Sequence, residues 1–369
     1  MYMIHRFNRF SFSWWLLAGV LALFLGISLY AAPVKDAPPA QTGGKVPFTD
    51  STGRTLELPA KITRVAPSGA LAQMFLLAIA PDLLCAVSSA YSPAQAEFVP
   101  AYLMDLPVVG QFYGTANLNP EEIARIGPDV VIDIGEPKDS IAADMNAITA
   151  SIAIPAIHIT ATLRSTPQAF RTLGKLLDRE DQGERLAQFC EKALALAEDV
   201  VAKAGSNKKT ILYCMGPGGL NVLAAHTFHT EILDWIAANK AVVNNPAARG
   251  SGNESNLEQI LLWNPEVIIF GADSVYDTAG TDPTWRQLRA IQSNSYYEVP
   301  QGPYNWMGGP PSINRYLGML WLGKILYPQN ARYDLYTETA EYYRLFYGYE
   351  LSRERFDRLI AKSVQTGSR

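Results

Sequence analysis

The chain has little of what covalent and metal frameworks are built from. Its 369 residues include three cysteines, Cys85, Cys190 and Cys214, and four histidines. The cysteines are odd in number and none has CxxC spacing, so neither a disulfide framework nor a zinc or iron–sulfur site is signalled; all three read as small core residues. Charge is sparse and balanced, 31 Lys plus Arg against 35 Asp plus Glu for a net of −4. With no clustered basic stripe, there is no electrostatic reason to expect nucleic acid as a partner. HExxH and GxSxG are absent. Residues 318–324 (GMLWLGK) have the glycine and lysine spacing of a P-loop, but Ile325 stands where Ser or Thr is required. The GPGG after Cys214 contains a proline and lacks the dinucleotide glycine spacing. Without a nucleophile, base and orienting group in view, an enzyme is the weaker reading.

What the chain does have is a repeat. Residues 117–132 read NLNPEEIARIGPDVVI and residues 256–269 read NLEQILLWNPEVII. Laying Ile123 on Ile260 puts Glu121 on Glu258, Pro128 on Pro265, Asp129 on Glu266 and Val130 on Val267 without a gap. Each copy reads as a short helix with carboxylate at its positive end, a Pro turn, and a buried β-branched strand. Any α/β protein contains such units; the aligned Glu at each helix start is the part that this does not require. With 48% hydrophobic residues, the chain can bury one or two sizeable cores, and the repeat suggests two lobes built to one plan.

In chain order, Arg6 and Arg9 precede an uncharged apolar stretch over residues 11–32, which fits a signal peptide or an N-terminal membrane anchor over residues 1–32. Cleavage after Ala31 or Ala32 would put Leu29 or Tyr30 where a small residue is preferred, so an uncleaved anchor stays open; the stretch is about long enough to span a bilayer. Residues 33–45 are a Pro, Ala and Gly linker, and residues 46–59 read as a hairpin around DSTG. Short β-rich runs at 62–66, 83–87, 108–112, 130–134 and 156–159 alternate with helical patterns at 70–79 and 120–126, an N-terminal α/β lobe over 46–162. A second series at 210–214, 241–243, 267–270 and 297–299 gives a C-terminal lobe over 208–328. Between them, residues 163–207 are helical; residues 181–204 alone would span roughly 36 Å and could brace the lobes. Residues 329–369 read as a helical extension in which Tyr333, Tyr336, Tyr343, Phe346 and Tyr347 form a face that docks on the body.

The doubled unit, the opening FTDSTGRTLELP, the PYNWMGGPPSINRYLGMLWL segment and the terminal LFYGYEL, in that order and spacing, resemble the periplasmic substrate-binding proteins of ABC importers for iron-siderophores, haem, cobalamin and related metal chelates. The resemblance covers nearly all of residues 46–351. It implies two Rossmann-like lobes joined by a long helix, a monomer in the periplasm, a small-molecule metal chelate as ligand rather than a cofactor, and ABC permease subunits in the inner membrane as partners. Carried over by position, Glu121 and Glu258 are the carboxylates that meet permease arginines, with Glu122 a competitor beside Glu121. Such glutamates can form charge-assisted bonds on docking.

Ligands of two-lobed α/β proteins bind in a crevice reached by loops at strand carboxyl ends. Here those are residues 67–70, 111–115, 135–138, 215–219 and 271–276, with 304–307 beyond. Ser68, Gln111, Tyr113, Tyr276 and Trp306, together with Tyr304, are the cleft candidates. His229, before a helix, is the candidate metal or ligand contact ahead of His226; Arg249 and Arg315 could pair with ligand carboxylates. An oxyanion such as molybdate or a bare metal ion is the alternative cargo, and an enzyme on the same scaffold the remaining alternative.

Overall fold

Residues 44–247, 250 and 252–364 of the computed structural model are described below; the expected export segment, most of the linker after it, and Arg249 lie outside these residues. Strands β1 (Lys45–Thr49) and β2 (Thr55–Pro59) pair antiparallel as the expected hairpin. Its turn is pinned by Asp50, whose carboxylate accepts from the Thr52 amide at 2.9 Å and its hydroxyl at 2.6 Å, and by Arg54, which also donates to the Ala156 carbonyl at 2.8 Å. The same Asp50 accepts from the His158 amide at 3.2 Å. The hairpin is thus fastened to the edge of the first sheet.

That sheet holds β3 (Val65–Pro67), β4 (Val130–Gly135) and β5 (Ala156–Thr160), all parallel in that order. Around it lie α1 (Ala70–Ile79), α2 (Pro93–Ala96), α3 (Pro120–Ile126) and α4 (Ile141–Ile152). Every residue of β4 is buried, as a strand covered on both faces requires. The runs at 83–87 and 108–112 do not form full strands: they make only single bridges, Val65 to Leu84 and Val87 to Val108. Side chains take the amides that a longer ladder would use. Gln73 Oε1 accepts from the Ser88 and Ser89 amides at 2.7 and 3.2 Å, and Asn117 Oδ1 accepts from the Gln111 amide at 3.0 Å.

The link between lobes is α5 (Thr166–Leu176) followed by α6 (Glu180–Ala204), whose 25 residues span about 37 Å at 1.5 Å each. The two helices close on each other at glycines: a Cβ on Gly183 would lie 2.7 Å from the Phe170 carbonyl oxygen and 3.1 Å from the Gly174 Cα. The buried face of α6 carries Leu186, Phe189, Cys190, Ala193, Ala197 and Val200, a helical stripe.

The second sheet runs through β6 (Thr210–Met215), β7 (Asn221–Val222), β8 (Ala238–Asn239), β9 (Asn253–Glu254), β10 (Val267–Phe270) and β11 (Tyr296–Glu298). Its order is β11-β10-β6-β7-β9 with β8 also on β6; β7 runs antiparallel to both β6 and β9, and the other pairs are parallel. The expected run at 241–243 follows β8 without strand pairing of its own. Helices α7 (Glu231–Ile236), α8 (Leu257–Trp263), α9 (Tyr276–Ala279) and α10 (Arg289–Gln292) belong to this lobe. The chain then enters α11 (Arg315–Leu326), α12 (Leu335–Tyr347) and α13 (Arg353–Leu359). Helix α6 packs on α1 of the first lobe, α7 of the second, and α11 and α12. The fold is two α/β lobes joined by this long helix.

The tail is two helices rather than one, because Gly348 adopts a left-handed conformation (φ 63°) and Ser352 caps a new start. Tyr342, Tyr343, Phe346 and Tyr347 are buried against the body. The tail also touches both lobes. Tyr349 donates to Glu97 at 2.9 Å on the first, and Lys362 reaches Asp277 at 2.7 Å on the second. No helix among the described residues is long and apolar enough to cross a membrane.

The repeat seen in the sequence reaches further in three dimensions. Asn119 and Asn256 cap α3 and α8 by accepting from the amide three residues on, at 3.0 and 2.8 Å, and Gly127 and Asn264 end them in left-handed conformations. Asp129 then accepts from the Thr63 and Arg64 amides at 2.7 and 3.0 Å; its counterpart Glu266 accepts from the Thr210 amide at 3.0 Å and from Lys209 Nζ at 2.9 Å. Each acid ties the entry of its own strand to the entry of the next. Bonding from the Thr210 amide, above all, holds the Glu266 carboxyl down at about 2, against an ordinary 4.5. A depressed acid contributes stability above its unfolded value and loses it as pH falls through the folded value. We therefore expect thermal melts to show wild-type protein losing stability between about pH 4.5 and about pH 2 more steeply than Glu266→Gln, which lacks this contribution throughout.

Candidate functional site

Between the lobes lies a cavity of about 600 Å³. Its walls come from the loops after β3, β4 and the Val87–Val108 bridge of the first lobe, from Phe228, His229 and Gly250 of the second, and from Gly308, Gly309, Pro310 and Pro311 ahead of α11.

The N-terminus of α1 borders it directly through Gly69, Ala70, Leu71 and Ala72. Gly69 caps the helix in an extended conformation without a side-chain bond, and no acidic residue stands in the first turn. The first amides of a helix have no intrahelical acceptor and carry its positive end, so this side of the cavity favours negative charge. Lys138, which also lines the cavity, adds a cation 4.3 Å above the Tyr113 ring and 3.5 Å from Glu136.

Beneath the helix end is a buried polar chain. Ser68 Oγ donates to Asp133 Oδ1, and Asp133 Oδ2 lies 2.7 Å from His158 Nδ1; the His158 Nε2 is 3.3 Å from the Thr160 hydroxyl. Ser68, Asp133 and His158 are all at least 95% buried. Ser68 was expected in the cleft. Asp133 and His158 were not, although a single polar residue inside VVIDI and another inside AIHI is a signal the sequence carries. Buried polar groups of this kind need partners, and here each supplies the other's.

Gln111 and Tyr113 also line the cavity. Gln111 Nε2 donates to Ser89 Oγ at 3.3 Å, and the Tyr113 hydroxyl donates to Asp144 at 2.6 Å. Burial first, then the hydrogen bond to the Asp144 carboxylate and the charge of Asp133, push the Tyr113 phenol far above its usual range, so it stays a protonated donor. His229 lines the opposite wall, its ring centroid 6.3 Å from that of Phe228.

Tyr276 and Trp306 are not brought to this cavity. Tyr276 packs on Tyr296, centroids 5.5 Å apart, with Lys362 Nζ 5.5 Å from its ring. Trp306 is wholly buried and Tyr304 nearly so. The loop bearing them turns inward, the Trp306 amide donating to the Pro300 carbonyl at 3.1 Å, and presents the Gly and Pro residues 308–311 to the cavity instead. His226 is exposed, with φ 64°, and its amide donates to Asp234 at 2.7 Å. Arg315 is buried and paired within the protein: Nη1 lies 2.8 Å from Glu231 Oε2 and 3.1 Å from the Phe228 carbonyl, the guanidinium stacking 4.5 Å from the Phe228 ring. Among the described residues, no group of three or more His, Cys, Asp or Glu is placed to hold a metal ion.

On the outer surface, Glu121 and Glu258 are exposed at equivalent places, the second residues of α3 and α8. Glu122 differs from both, being held by Arg125 at 2.6 Å.

A model of the periplasmic binding protein family matches residues 66–303. The chain belongs to that family. The match takes in both sheets and the cavity loops up to β11, and leaves the opening hairpin and α11 to α13 outside it. The chain is similar to the Fe(3+)-citrate-binding protein YfmC of Bacillus subtilis, 23% identical over 195 residues that make up 52% of this chain and 59% of that protein. It is also similar to the molybdate-binding protein MolA of Haemophilus influenzae, 25% identical over 185 residues, 49% of this chain and 51% of that protein. The chain thus spans just over half the length of the curated relatives it matches. Among solved structures, an ABC transporter solute binding protein from Sulfurospirillum deleyianum matches with a TM-score of 0.79 at 28% identity, covering 85% of this chain and 99% of that one.

One position controls the Gln111–Thr115 wall. Gly110 has φ 78°, and a Cβ there would lie 2.1 Å from the Asn117 carbonyl oxygen. Gly110→Ala must open this loop, and urea unfolding is expected to show a loss of about 1–3 kcal/mol, the usual cost of overpacking, with weaker solute binding.

Proposed function

We propose that the protein is the solute-binding component of an ABC importer, capturing an iron-siderophore or related metal chelate between its lobes and delivering it to the membrane permease. The observation that carries this reading is the cavity itself: about 600 Å³, walled by both lobes, largely apolar and Gly/Pro-lined with a few convergent polar groups. That volume falls within the range of sites for small organic ligands. A single tetrahedral oxyanion would fill only a small part of it. The bare N-terminus of α1 with Lys138 suits an anionic chelate, and the named ligands of two relatives, Fe(3+)-citrate and molybdate, both present oxygen atoms that can accept hydrogen bonds.

The uncapped helix end also favours a second reading, in which the cargo is an oxyanion alone. In either case the protein acts by binding and release rather than turnover, as an exported monomer on the outer side of the cytoplasmic membrane. Glu121 and Glu258 project from matched helix starts on the two lobes and are suited to charge-assisted bonds with permease arginines.

Native mass spectrometry against ferric siderophores, ferric citrate, haem, cobalamin and molybdate tests the cargo. A 1:1 adduct with one metal chelate is expected; adducts with molybdate alone would promote the second reading, and chemical conversion of a chelate would overturn the binding-protein reading. Replacing Glu121 and Glu258 together by Ala is expected to impair uptake in cells while solute affinity measured by titration calorimetry stays unchanged. A loss of affinity would move these residues from the docking surface to the solute site.

A further inference from the structure

The chain leaves the first lobe at Leu163, between β5 and α5, and both peptide groups of this residue are held by side chains from beyond the link. The Leu163 amide donates to the Glu231 carboxylate, at 3.3 and 3.2 Å from its two oxygens, and the Leu163 carbonyl accepts from the Tyr316 hydroxyl at 2.6 Å. Glu231 is the first residue of α7, directly behind the turn that carries Phe228 and His229 to the cavity. The same carboxylate meets Arg315, which in turn holds the Phe228 carbonyl and covers its ring. Glu231 itself does not line the cavity.

We infer that Glu231 is a positioning residue for the solute site, joining the exit of the first lobe to the second-lobe wall and so fixing the distance across the cavity. Arg315 is almost fully buried and needs a charged partner in place, which makes the arrangement costly to break. Removing the Glu231 carboxylate acts at two places together: it takes the acceptor from the Leu163 amide, leaving Tyr316 as the hold on that residue, and it takes the counter-charge from Arg315, which seats Phe228. A residue serving stability alone would link neither to the spacing of the lobes.

The spacing can be read with paired spin labels at the exposed positions, Glu121→Cys and Glu258→Cys, in a Cys85→Ser background. In the protein without added solute, Glu231→Ala is expected to broaden and lengthen the interlobe distance distribution. Glu231→Gln, which keeps an acceptor oxygen but loses the charge facing Arg315, is expected to fall between it and wild type. A folded Glu231→Ala protein with an unchanged distribution would overturn the inference, even if its melting temperature fell. Should Glu231→Ala not fold, the Gln variant decides by the same measure, an unchanged distribution overturning the inference. A second readout rests on the solute-binding reading: with ferric citrate as probe, Glu231→Ala should lose about tenfold in affinity, the worth of one hydrogen bond to a charged group. Failure of wild-type protein to bind ferric citrate would count against that choice of cargo and leave the distance measurement to judge Glu231.

Discussion

The cavity exists because the two lobes are held apart at a set distance, and that distance is imposed by helices touching both lobes. Helix α6 supplies the main constraint. Its close approach to α5 at Gly174 and Gly183 leaves no room for a side chain, so the angle of the helical pair is set by backbone contact rather than by adaptable packing. The tail repeats the constraint, with Tyr349 on Glu97 at one end and Lys362 on Asp277 at the other. Wide hinge motion would have to break both sets of contacts, whereas small shear between packed helices would not.

Within that frame the site follows from ordinary backbone chemistry. A parallel strand that runs into a helix leaves unsatisfied amides at the helix start, and the start of α1 faces the space between lobes. The small residues at Gly69, Ala70 and Ala72 leave that backbone accessible, and the chain Ser68–Asp133–His158 fills the polar space below it. Positive potential at the helix end and Lys138 is set against Asp133 and Glu136, so a bound anion would meet fixed dipoles rather than a uniform cationic patch.

Much of the architecture was legible because its signals are local. The duplicated helix–Pro–strand unit, the DSTG hairpin and the Ala, Leu and Glu-rich helix each depend on residues close in sequence, and each forms. The repeat even carried its function in the fold, since Asp129 and Glu266 make the same strand-to-strand bonds. The cavity was legible only in part. Ser68, Gln111, Tyr113 and His229 reach it from loops of the expected kind. Tyr276 and Trp306 lie on such loops too, but where an aromatic turns is decided by tertiary packing: Trp306 is buried in the core, and Tyr276 packs half-buried on Tyr296. Arg315, read as a possible ligand contact, is instead satisfied by Glu231, a partner 84 residues away. No local pattern announces that pairing. Nor does one announce Gly308 to Pro311 as a wall, since a turn sequence does not show which surface it meets.

If the cavity is preformed between braced lobes, small-angle X-ray scattering with and without bound solute tests that bracing most directly. Braced lobes should give nearly superimposable profiles, with a slight decrease in radius of gyration from small shear. A large compaction on binding would contradict this, because it would mean that α6 and the tail do not hold the lobes apart.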